Sequence, residues 1–180
     1  MFSADELILC FNGCFERSHH VRLVGGASEP LYSPGAGGDV PAKIHFRLDY
    51  VSSALHEISH WCVAGDARLQ LEDYGYWYEP DNRTLELQKK FEAVEVKPQA
   101  IEKAFHLVLG IPFRVSADNL SLQDYSTEPF EGLVDDQFLS YVNNGFPQRV
   151  EAFCMYLLET QGIHKALYDL LKEKITHHCG

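Results

Sequence analysis

The sequence predicts a single α+β domain that is rich in helices and carries a small β-sheet. A chain of 180 residues suits one domain with one buried core. Its composition, 46% hydrophobic and 23% charged, is that of an ordinary globular protein. Most of the chain repeats apolar residues at helical spacing, and only short pieces resemble strands. We therefore expect one domain over residues 1–180.

The N-terminal part predicts one helix followed by two strands. The stretch "SADE" is a capping box in which Ser3 caps the helix and Glu6 lies three positions on. This helix is expected to run to about Arg17. The pieces "HVRLV" and "AKIHFRL" then read as strands, separated by a loop rich in glycine and proline, "SEPLYSPGAGGDVP".

Two helices are expected in the middle of the chain. The first begins at Asp49 or Ser52 and ends near Gly65. An aromatic loop or edge strand, "DYGYWYEPDN", follows it. The second helix runs from Thr84 to Leu109, and Pro98 is expected to kink it or split it in two.

The C-terminal third predicts three more helices. "GLVDDQFLSYVNNG" is a helix that ends at Gly145, because glycine commonly follows a helix. Pro147 suits the first turn of the next helix, which is expected to reach about Thr160. The last helix covers "HKALYDLLKEKI".

The charge balance and the cysteines limit the classes of function. A formal net charge of −11 argues against a broad nucleic-acid surface, which needs a basic stripe. No apolar run approaches the roughly 18 residues of a membrane helix, and the first residues carry acids where a signal peptide has bases. The five cysteines are odd in number and form no CxxC pair, which favours reduced thiols. We expect a soluble, cytoplasmic protein without nucleic-acid or membrane partners.

The most informative stretch is "LHEISHWC". His56 and His60 are four residues apart, so on a helix they lie about 40° apart around the axis and roughly 6 Å apart along it. Both imidazoles can then reach one metal ion, as in HExxH sites. Glu57 lies about 60° beyond His60 on the same helix, where it meets a metal-bound water more readily than the ion.

Two histidines need a third ligand, and the helix that contains "KKFEAVEVKPQAIE" offers three carboxylates. Its apolar face is expected to run through Phe91, Val94, Ile101, Phe105 and Val108. Glu92 falls about 155° from the centre of that face and is expected to be exposed to solvent. Periodicity does not separate Glu95 from Glu102. We choose Glu95 as the ligand because valines flank it on both sides.

The ligand pattern leaves the chemistry open. Two histidines and one carboxylate suit both zinc hydrolases and non-haem Fe(II) oxygenases. From the pattern alone, a zinc peptidase with Glu57 as general base ranks first. A binding module with a structural metal is disfavoured, since structural zinc sites are closed and usually rich in cysteine.

Several motifs together resemble a known family. "HEISHWC", "YGYWY" and "FEAVEVKPQA", with "EPLYSP" and "IPFRVSADNL" around them, are similar to the bacterial elongation factor P hydroxylases. The resemblance runs from about Phe11 to Asn119. "HEISHW" alone is moderately specific, whereas "VEVKPQA" together with "YGYWY" is far more so.

The resemblance implies a cytoplasmic enzyme that hydroxylates the modified lysine of elongation factor P. It also implies a metalloprotease (zincin)-like core, with His56, His60 and Glu95 as the ligands of Fe(II) and dioxygen as co-substrate. Glu57 would then act beside the metal.

The aromatic residues Tyr76, Trp77 and Tyr78 are candidates for the substrate channel. Their rings suit a long alkyl-ammonium side chain through apolar contact and cation–π attraction. Packing of the same stretch on the core is an equally good interpretation of "YGYWY".

Overall fold

The computed structural model describes residues 2–73, 84–117 and 125–178, and it agrees with the helix-rich α+β class expected from the sequence. The helices are α1 (Ala4–His19), α2 (Val51–Val63), α3 (Leu85–Leu109), α4 (Glu128–Asn144), α5 (Gln148–Thr160) and α6 (Leu167–His178). The strands are β1 (Val21–Ala27), β2 (Leu31–Ser33) and β3 (Ala42–Arg47). A metalloprotease-like core stays a prediction.

Local signals in the sequence define the ends of several helices. Oγ of Ser3 accepts a hydrogen bond from the Glu6 amide at 3.2 Å, and a Glu6 carboxylate oxygen accepts one from the Ser3 amide at 2.7 Å. This confirms the capping box. Gly145 ends α4 as predicted, with a φ of 101°.

The predicted start of α2 is wrong. The residue that caps it is Tyr50, which makes no side-chain capping bond, and neither Asp49 nor Ser52 holds that position. The helix ends at Val63, two residues before Gly65. Packing of its apolar face therefore fixes α2 more than a local start signal does.

The sheet has three strands in the order β1-β3-β2. β3 is the central strand, parallel to β1 and antiparallel to β2. Its buried residues, Ala42, Ile44 and Phe46, alternate with more accessible ones, which gives the sheet one face against the core. β2 was not predicted. It has three residues, too few for an alternating pattern, and it is defined by its pairing with β3.

An aromatic cluster joins α1, α2 and α5. Phe11 and Phe15 of α1 contact Trp61 of α2 and Phe153 of α5, with ring centroids 4.9–5.9 Å apart. Arg149 of α5 stacks over Trp61 and donates hydrogen bonds to the carbonyls of Trp61 and Ala64 at 2.7 and 3.1 Å. These contacts hold the C-terminal end of α2 in place.

Helix α3 runs through Pro98 as one helix, so of the two expected effects of Pro98, a kink or a split, the split is wrong and the kink stays a prediction. A proline inside a helix costs about 3 kcal/mol, because one hydrogen bond is lost and the ring crowds the preceding turn. α3 packs against α2, α4, α5 and α6, and this burial outweighs the cost.

Two further expectations concern the described part of the chain. The cysteines Cys10, Cys14, Cys62 and Cys154 are free thiols there. Among all the residues that the structure describes, no helix is both long enough and apolar enough to cross a membrane.

Candidate metal centre

His56 and His60 lie one turn apart on α2 and bring their rings together. The ring centroids are 4.6 Å apart and the two Nε2 atoms are 3.0 Å apart. The opposite face of the helix is fully buried through Ala54, Leu55 and Ile58, which fixes the rotation of α2. The helical spacing thus places both imidazoles at one point, as expected from the sequence.

The carboxylate of Glu95, on the neighbouring helix α3, lies close to the Nε2 atoms of both histidines. Its Oε1 lies 3.3 Å from Nε2 of His60, and its Oε2 lies 3.7 Å from Nε2 of His56. The residue is 2% exposed. One donor atom from each of the three residues falls within 4.8 Å of the others.

These separations fit a metal ion. Nitrogen and oxygen ligands bound at about 2.0–2.1 Å to one ion lie roughly 2.9–3.4 Å from one another at right or tetrahedral angles. The distances from His60 Nε2 to its two neighbours, 3.0 and 3.3 Å, fall in that range. The His56–Glu95 distance of 3.7 Å is slightly longer. The three residues therefore form a suitable donor set for a divalent cation.

Glu102, the carboxylate that the sequence did not separate from Glu95, lies behind His56. Its Oε2 is 2.9 Å from Nδ1 of His56, on the side of the ring away from Glu95. With Nδ1–H donating to this carboxylate, Nε2 keeps its lone pair free for an ion. Glu102 thus orients a histidine at the centre, and Glu95 completes the donor set.

Glu92 corrects our expectation of a solvent-exposed residue. It is only 7% exposed. Its Oε1 accepts hydrogen bonds from the Tyr125 hydroxyl at 2.6 Å and from the Gln88 amide at 3.0 Å. Val94, which was placed on the apolar face, is instead 37% exposed. The assumed phase of the helix was therefore wrong in its N-terminal half.

The reason is a second buried stripe on α3, made of polar residues. Its members recur at intervals of three and four residues: Gln88, Glu92, Glu95, Gln99, Glu102 and His106. This heptad-like spacing of amides, carboxylates and a histidine was readable in the sequence. A single apolar face, assumed to be the only buried one, does not predict the burial of Gln99 and His106.

Residues 111–117 run along this polar stripe and bond to it. The carbonyl of Pro112 lies 2.6 Å from Nδ1 of His106, and the carbonyl of Ala117 accepts from the Gln88 amide at 2.9 Å. On its other side, Nε2 of His106 lies 3.6 Å from Oε1 of Glu102. Residues 111–117 therefore supply backbone partners to Gln88, Gln99 and Nδ1 of His106, which offsets the loss of water by these buried groups.

The centre favours a positive charge. Burial lowers the pKa of His56, but the hydrogen bond and charge of Glu102, with the charges of Glu95 and Glu57, raise it to about 10. Burial raises the pKa of Glu95, yet the hydrogen bond from His60 and the charges of both histidines lower it to about 2. A pocket with several carboxylates around two imidazoles stabilises a bound cation.

Glu57 lies at the side of the centre that is open to a cavity. The cavity holds about 40 Å³ and is lined in part by Tyr32, Glu57, His60, Trp61, Arg68 and Asp73. The pKa of Glu57 is raised by burial, which outweighs the attraction of His56 and His60. It is absent from the three residues whose donor atoms converge. The role of Glu57 beside an ion stays a prediction.

The chain after α2 returns to the sheet at the mouth of this cavity. Asp73 and Tyr32 exchange two backbone hydrogen bonds of 2.7 and 3.0 Å, and Arg68 forms an ion pair with Asp73. The candidate substrate residues Tyr76, Trp77 and Tyr78 follow directly in the sequence, and they lie outside the described residues.

Comparisons with known proteins agree with the family resemblance of the sequence. The sequence profile of the elongation factor P hydroxylase family matches residues 10–168, well beyond the stretch up to Asn119 on which the resemblance was noted. A Haemophilus influenzae protein named elongation factor P lysine hydroxylase is 48% identical over 148 residues. The aligned part covers 82% of this chain and 83% of that protein.

Proposed function

Because the chain belongs to the elongation factor P hydroxylase family, we propose that it hydroxylates the modified lysine of elongation factor P. The family match, which covers most of the chain, is the observation that carries this proposal. A cytoplasmic location, expected from the sequence, suits a substrate that serves translation.

His56, His60 and Glu95 are proposed to hold the metal, with Fe(II) as the native ion. Two histidines and one carboxylate with open positions are typical of non-haem iron oxygenases. Fe(II), when bound, supplies the redox chemistry that lets dioxygen react with a C–H bond, with two further electrons from an external reductant. The donor separations of 3.0–3.7 Å support a shared ion at these residues.

Glu57 is proposed to move protons at the reaction site. Its carboxyl group borders the cavity beside His60 and is half-buried. Burial raises its pKa, so that the group exchanges a proton more readily near neutral pH than an exposed glutamate does. The carboxyl group of Glu57 would supply one of the two protons that the oxygen atom not transferred to the lysine needs to become water, and solvent protons would reprotonate the carboxylate.

The substrate is proposed to arrive through the cavity side, because the polar stripe of α3 and residues 111–117 cover the opposite side. On that side, Nδ1 of His56 is hydrogen-bonded to Glu102, and Glu95 is buried. Tyr76, Trp77 and Tyr78 stay the proposed walls for the alkyl-ammonium chain, because they follow Asp73, which lines the cavity.

The zinc peptidase alternative shares the same donor set and the same place for Glu57. What separates the two proposals is the family, whose description and whose curated relative both name hydroxylation. We therefore retain the hydroxylase and treat peptide cleavage as the outcome that would replace it.

Mass spectrometry of elongation factor P tests the proposal. The modified factor is incubated with Fe(II)-loaded protein and a reductant in air, and we expect one added oxygen atom on the modified lysine. The product should gain the heavy isotope under ¹⁸O₂, and His56→Ala should give none. Intact factor with an unchanged mass, or a cleaved factor, would contradict the proposed reaction.

A further inference from the structure

Gln99 is a fully buried amide that contacts both a proposed ligand and a distant backbone segment. It is 1% exposed. Its Oε1 accepts a hydrogen bond from the Ser116 amide at 2.9 Å, and its Nε2 donates to the Ser116 carbonyl at 2.8 Å. Because one residue's backbone supplies both a donor and an acceptor, only one orientation of the Gln99 amide satisfies both bonds.

That orientation directs the remaining N–H toward Glu95. Nε2 of Gln99 lies 3.3 Å from Oε2 of Glu95, one turn away on the same helix. The other oxygen of Glu95, Oε1, faces His60 at 3.3 Å. Gln99 therefore bonds Oε2, the oxygen that lies 3.7 Å from Nε2 of His56, while Oε1 faces His60.

From these contacts we infer that Gln99 is a positioning residue for Glu95, and that Ser116 fixes Gln99 in turn. The inference rests on the proposed function, since it takes Glu95 as a metal ligand. A free carboxylate side chain rotates, whereas one that is hydrogen-bonded by a fixed donor presents its oxygens in one geometry. Such partners of metal ligands typically change metal affinity by about 10–100-fold when they are removed.

The same helix contains a matched control. Gln88 is also fully buried, donates to the carboxylate of Glu92 at 3.0 Å, and donates to the carbonyl of Ala117 at 2.9 Å. It is the same residue type, on the same stripe, with the same two kinds of partner. Its carboxylate, however, is not part of the donor set. A change at Gln88 therefore reproduces the loss of packing and hydrogen bonds without reaching Glu95.

The experiment compares Gln99→Met with Gln88→Met, using Co²⁺ alone as the probe. We expect Gln99→Met to bind Co²⁺ about 10–100-fold more weakly and to show altered Co²⁺ ligand-field absorption, because Glu95 changes its mode of binding. Gln88→Met should keep the wild-type affinity within about threefold and the wild-type spectrum. Gln99→Leu removes the same donor with a branched side chain, so it should behave like Gln99→Met, and it serves if the methionine variant fails to fold.

Two other results overturn the inference in different ways. If the Gln99 variants bind Co²⁺ with the wild-type affinity and spectrum, or if Gln88→Met is impaired to the same extent, Gln99 acts in packing alone. If the wild-type protein binds no Co²⁺, or binds it equally well after His56→Ala, the metal site itself is wrong. The first result leaves the proposed metal site and function intact, whereas the second removes the inference together with the proposed donor set of His56, His60 and Glu95.

Discussion

Nδ1 of His56 lies 2.9 Å from Oε2 of Glu102. This hydrogen bond joins α2 to α3 on the side of the imidazole ring that faces away from the candidate metal centre. The two residues are 46 positions apart in the sequence. Glu102 is buried and its pKa is lowered, because the hydrogen bonds and charges of His106 and His56 outweigh the effect of burial. A charged Glu102 fixes the tautomer of His56 that offers Nε2 to an ion.

Replacing this carboxylate is expected to weaken metal binding. Glu102→Gln keeps the shape but removes the charge that holds the Nδ1–H tautomer, so metal affinity should fall about 10–100-fold. Titration with Co²⁺ against a competing chelator measures the loss. The control is Glu92→Gln, which changes a buried carboxylate on the same stripe that bonds to Tyr125 and Gln88. Equal loss in both variants would assign the effect to the stability of α3.

Loss of any proposed ligand should remove the metal. We expect His56→Ala, His60→Ala and Glu95→Ala each to abolish hydroxylation and to reduce bound iron sharply, because two ligands remain. Elemental analysis of the purified variants checks this, with circular dichroism to establish that they fold. Glu92→Ala is expected to retain the metal but to lower stability by about 1–3 kcal/mol, since Tyr125 and Gln88 lose a buried acceptor. Metal loss in Glu92→Ala together with retention in Glu95→Ala would reverse the assignment of the carboxylate ligand.

Glu57→Gln is expected to separate binding from turnover. The variant keeps the volume of the side chain beside His60 and removes its ability to exchange a proton, so iron should stay bound while the hydroxylation rate falls about 100-fold or more. Iron content and the rate are measured on the same preparation. A variant that loses its iron would show that Glu57 is itself a ligand.

Arg149 is expected to stabilise the helix that carries the histidines. Arg149→Ala removes two hydrogen bonds to the end of α2 and the stacking over Trp61, 4.8 Å from the ring centroid, and should lower the free energy of unfolding by about 2–3 kcal/mol. Urea unfolding measures the change. Arg22→Ala is the control, because its ion pair with Glu16 is solvent-exposed and should contribute less than about 1 kcal/mol. Similar values for the two variants would refute the role of Arg149.

The aromatic stretch after Asp73 is expected to act on the substrate. Trp77→Ala and Tyr76→Ala should weaken hydroxylation of elongation factor P while iron content stays at the wild-type level, because the rings are proposed to hold an alkyl-ammonium chain. Rate and iron content are compared in parallel. Unchanged rates, or a loss of iron that parallels the loss of rate, would show that these residues only pack against the core.

The sequence was sufficient wherever short-range geometry decides the outcome. The capping box of Ser3 and Glu6, the end of α4 at Gly145 and the pairing of His56 with His60 depend on residues within one or two turns of each other. Helix dimensions fix such relationships, so they follow from spacing alone. The motifs also carried the family resemblance, which the family match bears out.

Only the tertiary structure decided which carboxylate lies where. Spacing on α3 did not separate Glu95 from Glu102, and it placed Glu92 in solvent, because the burial of a helix face depends on what packs against it. Tyr125 and residues 111–117 cover a second face of α3, and these partners lie 6 to 33 positions away in the sequence, beyond the helix itself. The three-residue strand β2 and the continuous path of α3 through Pro98 have the same origin. In each case long-range packing and hydrogen bonding outweigh the local preference of the chain.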